Sequence, residues 1–379
     1  MRRQRRPIAI DLFCGVGGMS LGFEQAGYDV VAGFDSEERH VSAYKQNFGD
    51  RSAFVVDLSA STSTALLEHA GVNHEKVDLV FGGPPCQGFS NGGTRSSGDP
   101  RNEMLGHFAR LVHGIRPNYF VMENVDGLLH SHAQRTLDKF LNRIRKSGYD
   151  VVEPIASLDA ADFGVPQRRR RAFILGYRRG LPPLEYPTPR DPIDLRGKPY
   201  SPTVHDAIGD LPEVSDYPIL VEVDSLPKST LGRPSHYARL MRGELVDPDD
   251  RSEYRRRKAR RLTGCLATIH SSEVIRRFKK TKPGFREPIS RYFRLDLDSY
   301  SPTLRAGTDI DHGKHTAPRP IHPLIPRCIT TREAARLHSF PDWFSFNPTR
   351  WHAFRQIGNS VPPRLARAVA QVAIAVVAR

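Results

Sequence analysis

The chain has 379 residues, of which 39% are hydrophobic and 26% charged, and it carries a formal net charge of +14. These values are typical of a soluble globular protein, and the length predicts two domains rather than one core. No apolar run is long enough to predict a membrane span, and the basic start lacks the apolar core of a signal peptide. The four cysteines are far apart and form no CxxC pair. This argues against a zinc site or a disulfide framework and predicts a reducing, cytoplasmic compartment.

The first predicted strand, Ile8–Phe13, runs into a glycine-rich loop with the sequence CGVGG. Glycines there allow a tight turn and a close approach of the backbone to a ligand. A second strand, Asp29–Phe34, ends at Asp35, where a carboxylate is placed to bind ribose hydroxyls. Ser20 stands where the last glycine of a full GxGxxG would be. The loop is therefore compatible with a nucleoside cofactor and, about equally, with an ordinary glycine turn.

Helix and strand patterns go on alternating after this loop. Helices are predicted from the loop to about residue 26 and over 37–47, 62–70 and 103–115, and strands over 53–56, 77–81 and 118–122. This alternation predicts an α/β fold, with a Rossmann-like domain built on a mostly parallel, doubly wound sheet. An apolar helix over 364–377 is expected to pack on that domain.

The segment GGPPCQGFS, residues 82–90, follows the apolar strand 77–81. Pro84 and Pro85 cannot continue a strand ladder, so the chain leaves the sheet and holds Cys86 on a stiff turn. A thiolate at the carboxyl end of a strand is a candidate nucleophile, although a lone cysteine is more commonly buried and inert. The glycine- and serine-rich residues 87–101 are predicted to form a lid beside it.

A carboxylate and a set of planar donors come from later strands. The strand 118–122 delivers Glu123 to the same sheet edge as Cys86, although a salt bridge or a helix cap would explain Glu123 as well. The polar run PQRRRR then enters a strand over 172–177. Because alternate strand residues share a face, a donor cluster suited to a phosphate or a base edge is predicted from Gln167, Arg169 and Arg171.

The middle of the chain, about 178–295, is rich in proline and charge and shows no βα alternation. Arg251–Arg261 holds seven basic residues against Glu253. It is predicted to be a phosphate-tracking helix, with a solvated helical face as the alternative. The net positive charge favours a polyanionic partner, although a merely basic surface would give the same composition. The predicted domains are 1–180 with 351–379, and 181–350, the latter smaller and irregular.

Six blocks of the sequence together resemble the C5-cytosine DNA methyltransferases: DLFCGVGG, GGPPCQGFS, MENV, PQRRRR, TTREAARLHSFPDWF and RQIGNSVPP. They occur in the usual order, and the Pro-Pro-Cys-Gln block followed by Glu-Asn-Val is highly specific. The resemblance covers roughly the first half of the chain and its C-terminal part. Two positions depart from the usual pattern: Asp35 stands where glutamate is commoner, and Ser36 where a bulky residue often flanks the adenine.

The resemblance implies a DNA (cytosine-5-)-methyltransferase that uses S-adenosylmethionine and no metal. Cys86 would be the nucleophile, Glu123 the group at cytosine N3 and Arg171 a donor to O2, with Arg169 beside them. The implied cofactor site consists of Phe13, Cys14, Gly15, Gly17, Gly18, Asp35, Ser36, Asp57, Leu58, Gly83, Pro85, Asn359 and Ser360. The implied DNA contacts are Gln87, Ser90, Arg101, Gln167, Arg256, Arg257 and Lys258, and the segment 181–350 takes the place of the target-recognition region.

The implied chemistry explains this set of residues. Thiolate addition at C6 makes C5 nucleophilic, a carboxyl proton at N3 neutralises the developing charge, and an arginine at O2 stabilises it. The base must be flipped out of duplex DNA to be reached. The protein is expected to be a monomer and to act as the modification enzyme of a restriction-modification system. A cognate endonuclease would act separately, and no membrane partner is expected.

Three alternatives stay open at this point. A nicotinamide oxidoreductase would share the glycine loop and Asp35, but it would not need Cys86, Glu123 and the arginine strand together. A non-enzymatic DNA-binding relative should have lost one of those three groups, and none is lost. An RNA-directed relative, acting on tRNA, is harder to separate, although the long basic middle segment favours DNA.

Overall fold

The structure is a computed structural model that describes residues 5–85, 103–189, 200–307 and 319–377, with the side chains of Arg255 and Arg256 outside the described part. Its centre is an eight-stranded sheet. The strands are β1 Ile8–Leu12, β2 Asp29–Asp35, β3 Ala53–Val55, β4 Leu79–Gly82, β5 Tyr119–Val125, β6 Tyr149–Val151, β7 Ala156–Asp159 and β8 Arg170–Arg178. Their order is β3-β2-β1-β4-β5-β8-β6, with β7 also paired to β8.

Strands β1 to β5 are parallel to one another, whereas β8 runs antiparallel to β5, β6 and β7. The prediction of an α/β fold with a mostly parallel sheet is therefore confirmed. Parallel neighbours bring their carboxyl ends to one edge, which is where open α/β sheets bind ligands. That edge carries the glycine loop after β1, Asp35 at the end of β2 and the Pro84–Pro85 turn after β4.

Helices cover both faces of the sheet. The helices of the first half are α1 Gly18–Ala26, α2 Glu38–Phe48, α3 Ser63–Ala70, α4 Met104–Ile115 and α5 Gln134–Lys146. Those of the second half are α6 Val204–Ile208, α7 His236–Met241, α8 Ser272–Lys280, α9 Thr331–Leu337, α10 Arg350–Asn359 and α11 Pro363–Val377. Successive residues of β1 enter opposite cores, Ile10 beneath α3 to α5 and Ala9 beneath α1 and α11, as the two-residue period of a strand requires.

The C-terminal helix packs on the first helix, as the apolar pattern predicted. A Cβ added to Gly22 of α1 would lie 2.6 Å from the Cβ of Ala366 on α11, so only glycine permits this approach. By length and composition alone, the stretch Arg350–Val377 is apolar enough to be a candidate membrane span. It is, however, interrupted between α10 and α11, and the residues of α11 that face α1 are buried core residues.

Residues 200–307 contain short helices and a two-stranded sheet of β9 Ser225–Leu226 and β10 Leu262–Thr263, which agrees with an irregular segment. One buried core contains Val16 and Leu21 of the first predicted domain and also Tyr237 and Ile329 of the second. The division near residues 180 and 350 stays a prediction.

The predicted helix over 251–261 is wrong, because the structure has only a 3-10 turn at Glu253–Arg256. Like charges spaced along one helix repel each other, and Arg257 finds partners elsewhere. Its guanidinium lies 4.7 Å from the ring centre of Trp343, and its Nη1 donates to the carbonyl of Asn47 at 2.8 Å. Lys258 is exposed. Arg257 is thus tied to the protein surface rather than presented on a helical face.

Candidate active site

The loop after β1 contains three residues in the left-handed region: Phe13 with φ of 62°, Gly15 with 54° and Gly17 with 90°. A Cβ added to Gly17 would lie 2.4 Å from a ring carbon of Phe48, and one added to Gly18 would lie 2.5 Å from the carbonyl oxygen of Val361. These two glycines therefore serve packing. A Cβ on Gly15 would meet nothing within 4 Å. Gly15 is the member of the loop that faces open space.

Asp35 closes this loop from the end of β2. Its carboxylate accepts hydrogen bonds from the backbone N–H groups of Gly15 and Glu37, each at 2.9 Å, and lies 3.2 Å from Nδ1 of His40. Burial by itself would raise the pKa of Asp35. The interaction with His40 and the two N–H groups outweigh it, so the pKa lies below its ordinary value. An ionised acceptor therefore stands beside the open face of Gly15.

The next strand of the edge supplies a second carboxylate. Asp57 is exposed and accepts from the backbone N–H of Ser59 at 2.9 Å and from its hydroxyl at 2.7 Å, and these bonds lower its pKa. Ser36 is exposed as well. Leu58, predicted to touch the cofactor, has its side chain in the core, and its carbonyl accepts from Arg110 at 2.8 Å. Cys14 is also buried.

The turn after β4 is held beside β5. Strands β4 and β5 pair in parallel, with Gly82 opposite Met122. A Cβ on Gly83 would lie 2.8 Å from Oε2 of Glu123, so the missing side chain leaves room for that carboxyl group. Asn124 donates from Nδ2 to the carbonyl of Pro84 at 3.1 Å and fixes the turn before the exposed Pro85. The predicted nucleophile, lid and DNA contacts of this segment lie outside the described residues, namely Cys86, 87–101, Gln87, Ser90 and Arg101.

Glu123 and Arg171 form a buried pair at this edge. Their strands are antiparallel neighbours, and Arg171 Nε lies 2.9 Å from Glu123 Oε1. The side chain of Arg171 is only 14% exposed and that of Glu123 only 10%. Burial raises the pKa of Glu123 despite the opposing charges of Arg171 and Arg169. The pair can therefore hold a proton on the carboxyl group and present a cationic donor next to it.

The other two members of the predicted donor cluster face inward, and those predictions are corrected. Gln167 is fully buried, where its Nε2 donates to the carbonyl of Leu337 at 3.2 Å and its Oε1 accepts from the N–H of Leu304 at 3.0 Å. A fully buried side chain is not available to touch DNA. Buried and exposed residues do alternate here as predicted. The hydrogen-bonding groups of the buried Gln167, however, pair with backbone groups of the protein itself.

Arg169 is also buried, with 1% exposure. Its Nη1 donates to the carbonyl of Leu304 at 3.0 Å, and its Nη2 donates to those of Gly358 and Ser360 at 2.7 and 2.9 Å. These contacts favour a positioning role over the catalytic one predicted from the sequence. The guanidinium ties the segment just before β8, two residues before Arg171, to the end of α10.

The C-terminal motif returns to the glycine loop. Asn359 is exposed at the end of α10, and the Cβ of Ser360 lies 3.0 Å from a Cβ that would be added to Gly18. The hydroxyl of Ser360 donates to the carbonyl of Gln356 at 2.7 Å. The sequence blocks at the two ends of the chain are thus neighbours in space.

His338 was missed by the sequence reasoning. It is fully buried, with Nδ1 lying 3.0 Å from Nε2 of Gln167 and Nε2 lying 2.9 Å from the carbonyl oxygen of Ser360. Burial, helped by the charge of Arg169, holds the pKa of His338 well below its ordinary value. A neutral ring with its proton on Nε2 satisfies both contacts. Its place within the block TTREAARLHSFPDWF was the one available signal.

Comparisons with known proteins identify the family of this chain. The family described as C-5 cytosine-specific DNA methylase matches residues 8–375. The type II methyltransferase M.XorII of Xanthomonas oryzae pv. oryzae is 47% identical over 364 residues, which cover 96% of this chain and 84% of that protein. A crystal structure of an E. coli prophage protein, assigned as a DNA modification methyltransferase, is 32% identical with a TM-score of 0.76 and covers 97% of this chain and 99% of that one.

The fold is also shared with the Dnmt2 methyltransferase of S. pombe, at a TM-score of 0.58 and 18% identity, with 98% of this chain and 99% of that chain covered. At that identity the likeness concerns the fold alone. The family match, by contrast, spans nearly the whole chain and contains every block that suggested it. This protein therefore belongs to the C-5 cytosine-specific DNA methylase family and is a DNA cytosine-5 methyltransferase.

Proposed function

We propose that this protein transfers a methyl group from S-adenosylmethionine to C5 of a flipped-out cytosine in a specific duplex DNA sequence, as the modification enzyme of a restriction-modification system. The observation that carries the proposal is the buried pair of Glu123 and Arg171, 2.9 Å apart, beside the turn that leads into Cys86. The similarity to M.XorII, a type II methyltransferase, supports the biological setting.

The carboxyl edge fits S-adenosylmethionine. Open space over Gly15 admits a ligand, the lowered pKa of Asp35 leaves an acceptor for ribose hydroxyls, and the exposed Asp57 can accept from the adenine amino group. When bound, S-adenosylmethionine supplies an electrophilic methyl group. We assign Phe13, Ser36, Pro85, Asn359 and Ser360 to the border of the pocket. Cys14, Gly17, Gly18, Leu58 and Gly83 shape it through packing.

Cys86 activates the base. Its thiolate adds to C6 of cytosine, a C–S bond forms, and the electron pair displaced from the C5–C6 double bond moves through the ring toward N3. Glu123 donates its proton to N3 during this addition. A carboxyl group whose pKa is raised by burial retains that proton nearer neutral pH than an exposed one. C5 becomes nucleophilic and accepts the methyl group.

Arg171 stabilises the charge on the O2 side of the ring. Its guanidinium is positioned by Glu123 and is itself largely buried, so its field acts at low solvent screening. In the last step the C5 proton leaves to a base, the C6–S electron pair returns to sulfur, and the N3 proton returns to Glu123. The products are 5-methylcytosine, S-adenosylhomocysteine and a free Cys86 thiolate.

The substrate is proposed to be duplex DNA, because the methyl acceptor is buried in the base stack until the nucleotide is flipped. The net charge of +14 favours association with a polyanion. We further propose a cytoplasmic monomer whose cognate endonuclease, where one is present, acts separately on the same sequence.

Expression of the gene in a host without cytosine methylation tests the function. Bisulfite or long-read mapping should find 5-methylcytosine at every copy of one short sequence, and a Cys86→Ala host should show none. Methylation that is absent from the host DNA but present in its tRNA would instead support the RNA-directed alternative. Competition between duplex DNA and tRNA for the purified enzyme distinguishes the two substrates in vitro.

A further inference from the structure

Two arginines from distant parts of the chain converge on one hydroxyl group. Nη1 of Arg319 and Nη1 of Arg350 each lie 3.1 Å from Oγ1 of Thr268. Arg350 Nη1 also donates to the carbonyl of Ala267. The two cationic groups are therefore separated by no more than two hydrogen-bond lengths. The ring of Phe354, 5.6 Å from the guanidinium carbon of Arg319, limits the orientation of that side chain.

Neither arginine has an acidic partner among the residues that the structure describes. Asp224 contributes a favourable charge at Arg350, but its carboxylate accepts from the backbone N–H groups of Gly264 and Leu266, both at 2.9 Å, and forms no ion pair with Arg350. The buried arginines Arg327 and Arg336, in contrast, each contact two carboxylates. Two uncompensated guanidinium groups at such a distance repel each other and favour a bound anion.

The site presents donors without matching acceptors. Nε of Arg319 is buried and has no hydrogen-bond partner. The Thr268 hydroxyl accepts from both arginines, so its lone pairs are used, and its own proton has no acceptor among the described residues. A tetrahedral oxyanion offers several acceptor oxygens to such a donor set. The neighbouring Ile269 is 75% exposed, so this part of the chain opens to solvent.

The electrostatic environment of the neighbouring His270 also indicates an excess of positive charge at this cluster. Burial, together with the charges of Arg319, Arg350 and Arg327, lowers the pKa of His270. Nε2 of His270 accepts from the N–H of Cys328 at 3.1 Å, which requires that this nitrogen carry no proton. A histidine two residues from Thr268 thus experiences the excess positive charge of the cluster.

We propose that Arg319, Arg350 and Thr268 form a phosphate clamp that holds one backbone phosphate of the substrate DNA, an inference that rests on the proposed function. Arg350 is the first residue of α10, and Arg169 holds the other end of that helix at Gly358. Ten helical residues span about 15 Å, so Arg350 lies roughly that far from Asn359 at the other end of α10, which we assign to the border of the cofactor pocket. Duplex DNA carries closely spaced phosphates along its whole length, so a protein that binds one flipped base also faces phosphates on either side of it.

Phosphate contacts position a protein on DNA without reading its sequence. The double variant Arg319→Ala with Arg350→Ala should therefore bind all duplexes less tightly, by about tenfold at moderate salt, and its log–log salt slope should fall by about 0.9 for the phosphate lost. Arg135→Ala, which removes an exposed arginine of α5, is the matched control and should leave affinity and slope unchanged. Equal effects of the double variant and the control would overturn the clamp.

A methylphosphonate scan locates the phosphate on a short duplex that carries the mapped methylation site. One neutralised phosphate should weaken binding of the wild type and have no effect on the double variant. The pair Arg319→Lys and Arg350→Lys, with thermal unfolding of every variant, separates lost charge from lost folding, because lysine keeps the charge and restores part of the slope. A scan that affects both proteins alike would reject the assignment.

Titration of inorganic phosphate into DNA-free protein tests the other source of the same chemistry. If phosphate raises the melting temperature of the wild type only, while DNA affinity, salt slope and the scan are the same in both proteins, the cluster is a free-anion site and the DNA clamp is refuted. The proposed function is judged separately, because wild-type methylation of host DNA does not depend on any of these results.

Discussion

Arg169 donates from Nη2 to the carbonyl oxygen of Ser360 at 2.9 Å, and it immediately precedes β8, the strand that carries Arg171. One buried guanidinium thereby joins the base-pocket strand to the C-terminal segment beside the glycine loop. This hydrogen bond is a direct physical connection between Ser360 and the residue that precedes β8. The contact therefore couples the two halves of the site in a way that neither half shows alone.

Arg169→Ala should lower the free energy of unfolding by about 2–4 kcal/mol, because three buried carbonyl oxygens lose a charged donor. Urea unfolding measures the loss. The neighbouring Arg168→Ala is the control: its side chain is 54% exposed, and its surface ion pairs should contribute less than about 1 kcal/mol. Arg169→Lys should recover only part of the stability, since lysine lacks the forked donors. Equal losses at the two positions would contradict the positioning role.

Glu123→Gln should reduce kcat by about 100- to 10,000-fold, the usual size of a lost general acid. The raised pKa of Glu123 means that the folded protein binds this proton more tightly than the unfolded chain. Wild-type kcat should therefore decline as the pH rises through the folded pKa, and the glutamine variant should lack that limb. The raised pKa of Glu123 also affects the free energy of unfolding in the wild type. The protonated carboxyl group stabilises the folded protein at low pH, and this stabilisation is lost as the pH rises through the folded pKa. A pH–rate profile with an unchanged alkaline limb in the variant would exclude Glu123 as the acid.

Cys86→Ala should abolish methyl transfer while leaving the affinity for S-adenosylmethionine close to that of the wild type, because other residues form that pocket. The wild type should also form a covalent adduct with duplex DNA that contains 5-fluorocytosine, since fluorine at C5 cannot leave as a proton. Denaturing electrophoresis and mass spectrometry detect the adduct. Turnover by the alanine variant at the wild-type rate would reject the covalent mechanism.

Asp35→Ala should weaken S-adenosylmethionine binding by about 1–3 kcal/mol, the effect of losing a charged hydrogen-bond partner. Calorimetry measures it, and Asp50→Ala, at an exposed position after α2, is the control. Asp35 also accepts from the N–H of Gly15, so the loop itself loses a contact. Asp35→Asn, which keeps the side-chain shape, should show a smaller loss. An unchanged affinity in both Asp35 variants would remove this residue from the pocket.

The basic run should divide into two kinds of residue. Arg257→Ala should lower stability by about 0.5–1 kcal/mol through loss of its stacking on Trp343. Lys258→Ala should leave stability unchanged, because its side chain is exposed, and should weaken binding of all DNA sequences alike if it reaches a phosphate. Thermal unfolding and salt-dependent binding separate the two effects. A changed methylation sequence in the Lys258 variant would make that residue a base reader.

The sequence by itself determined the features that depend on local order. The alternation of apolar strands and helices predicted the parallel sheet, because period and turn residues are read within a few positions. The same logic brought Asp35, Glu123 and the turn before Cys86 to one edge, since parallel strands share their carboxyl ends. Residues 167–170 alternate between buried and exposed, as the period of an extended chain requires, although β8 itself begins only at Arg170.

Only the tertiary structure decided what those side chains contact. Gln167 and Arg169 satisfy carbonyl groups more than a hundred residues away, and no local pattern distinguishes such a partner from a phosphate. The charge run at 251–261 has the composition of a helix face, but the structure has only a 3-10 turn there. Like charges along one helix repel each other, and Arg257 instead contacts Trp343 and Asn47. Arg319 and Arg350 meet Thr268 across separations of 51 and 82 residues. Convergence of that kind is set by the packing of the whole chain, which a linear sequence does not display.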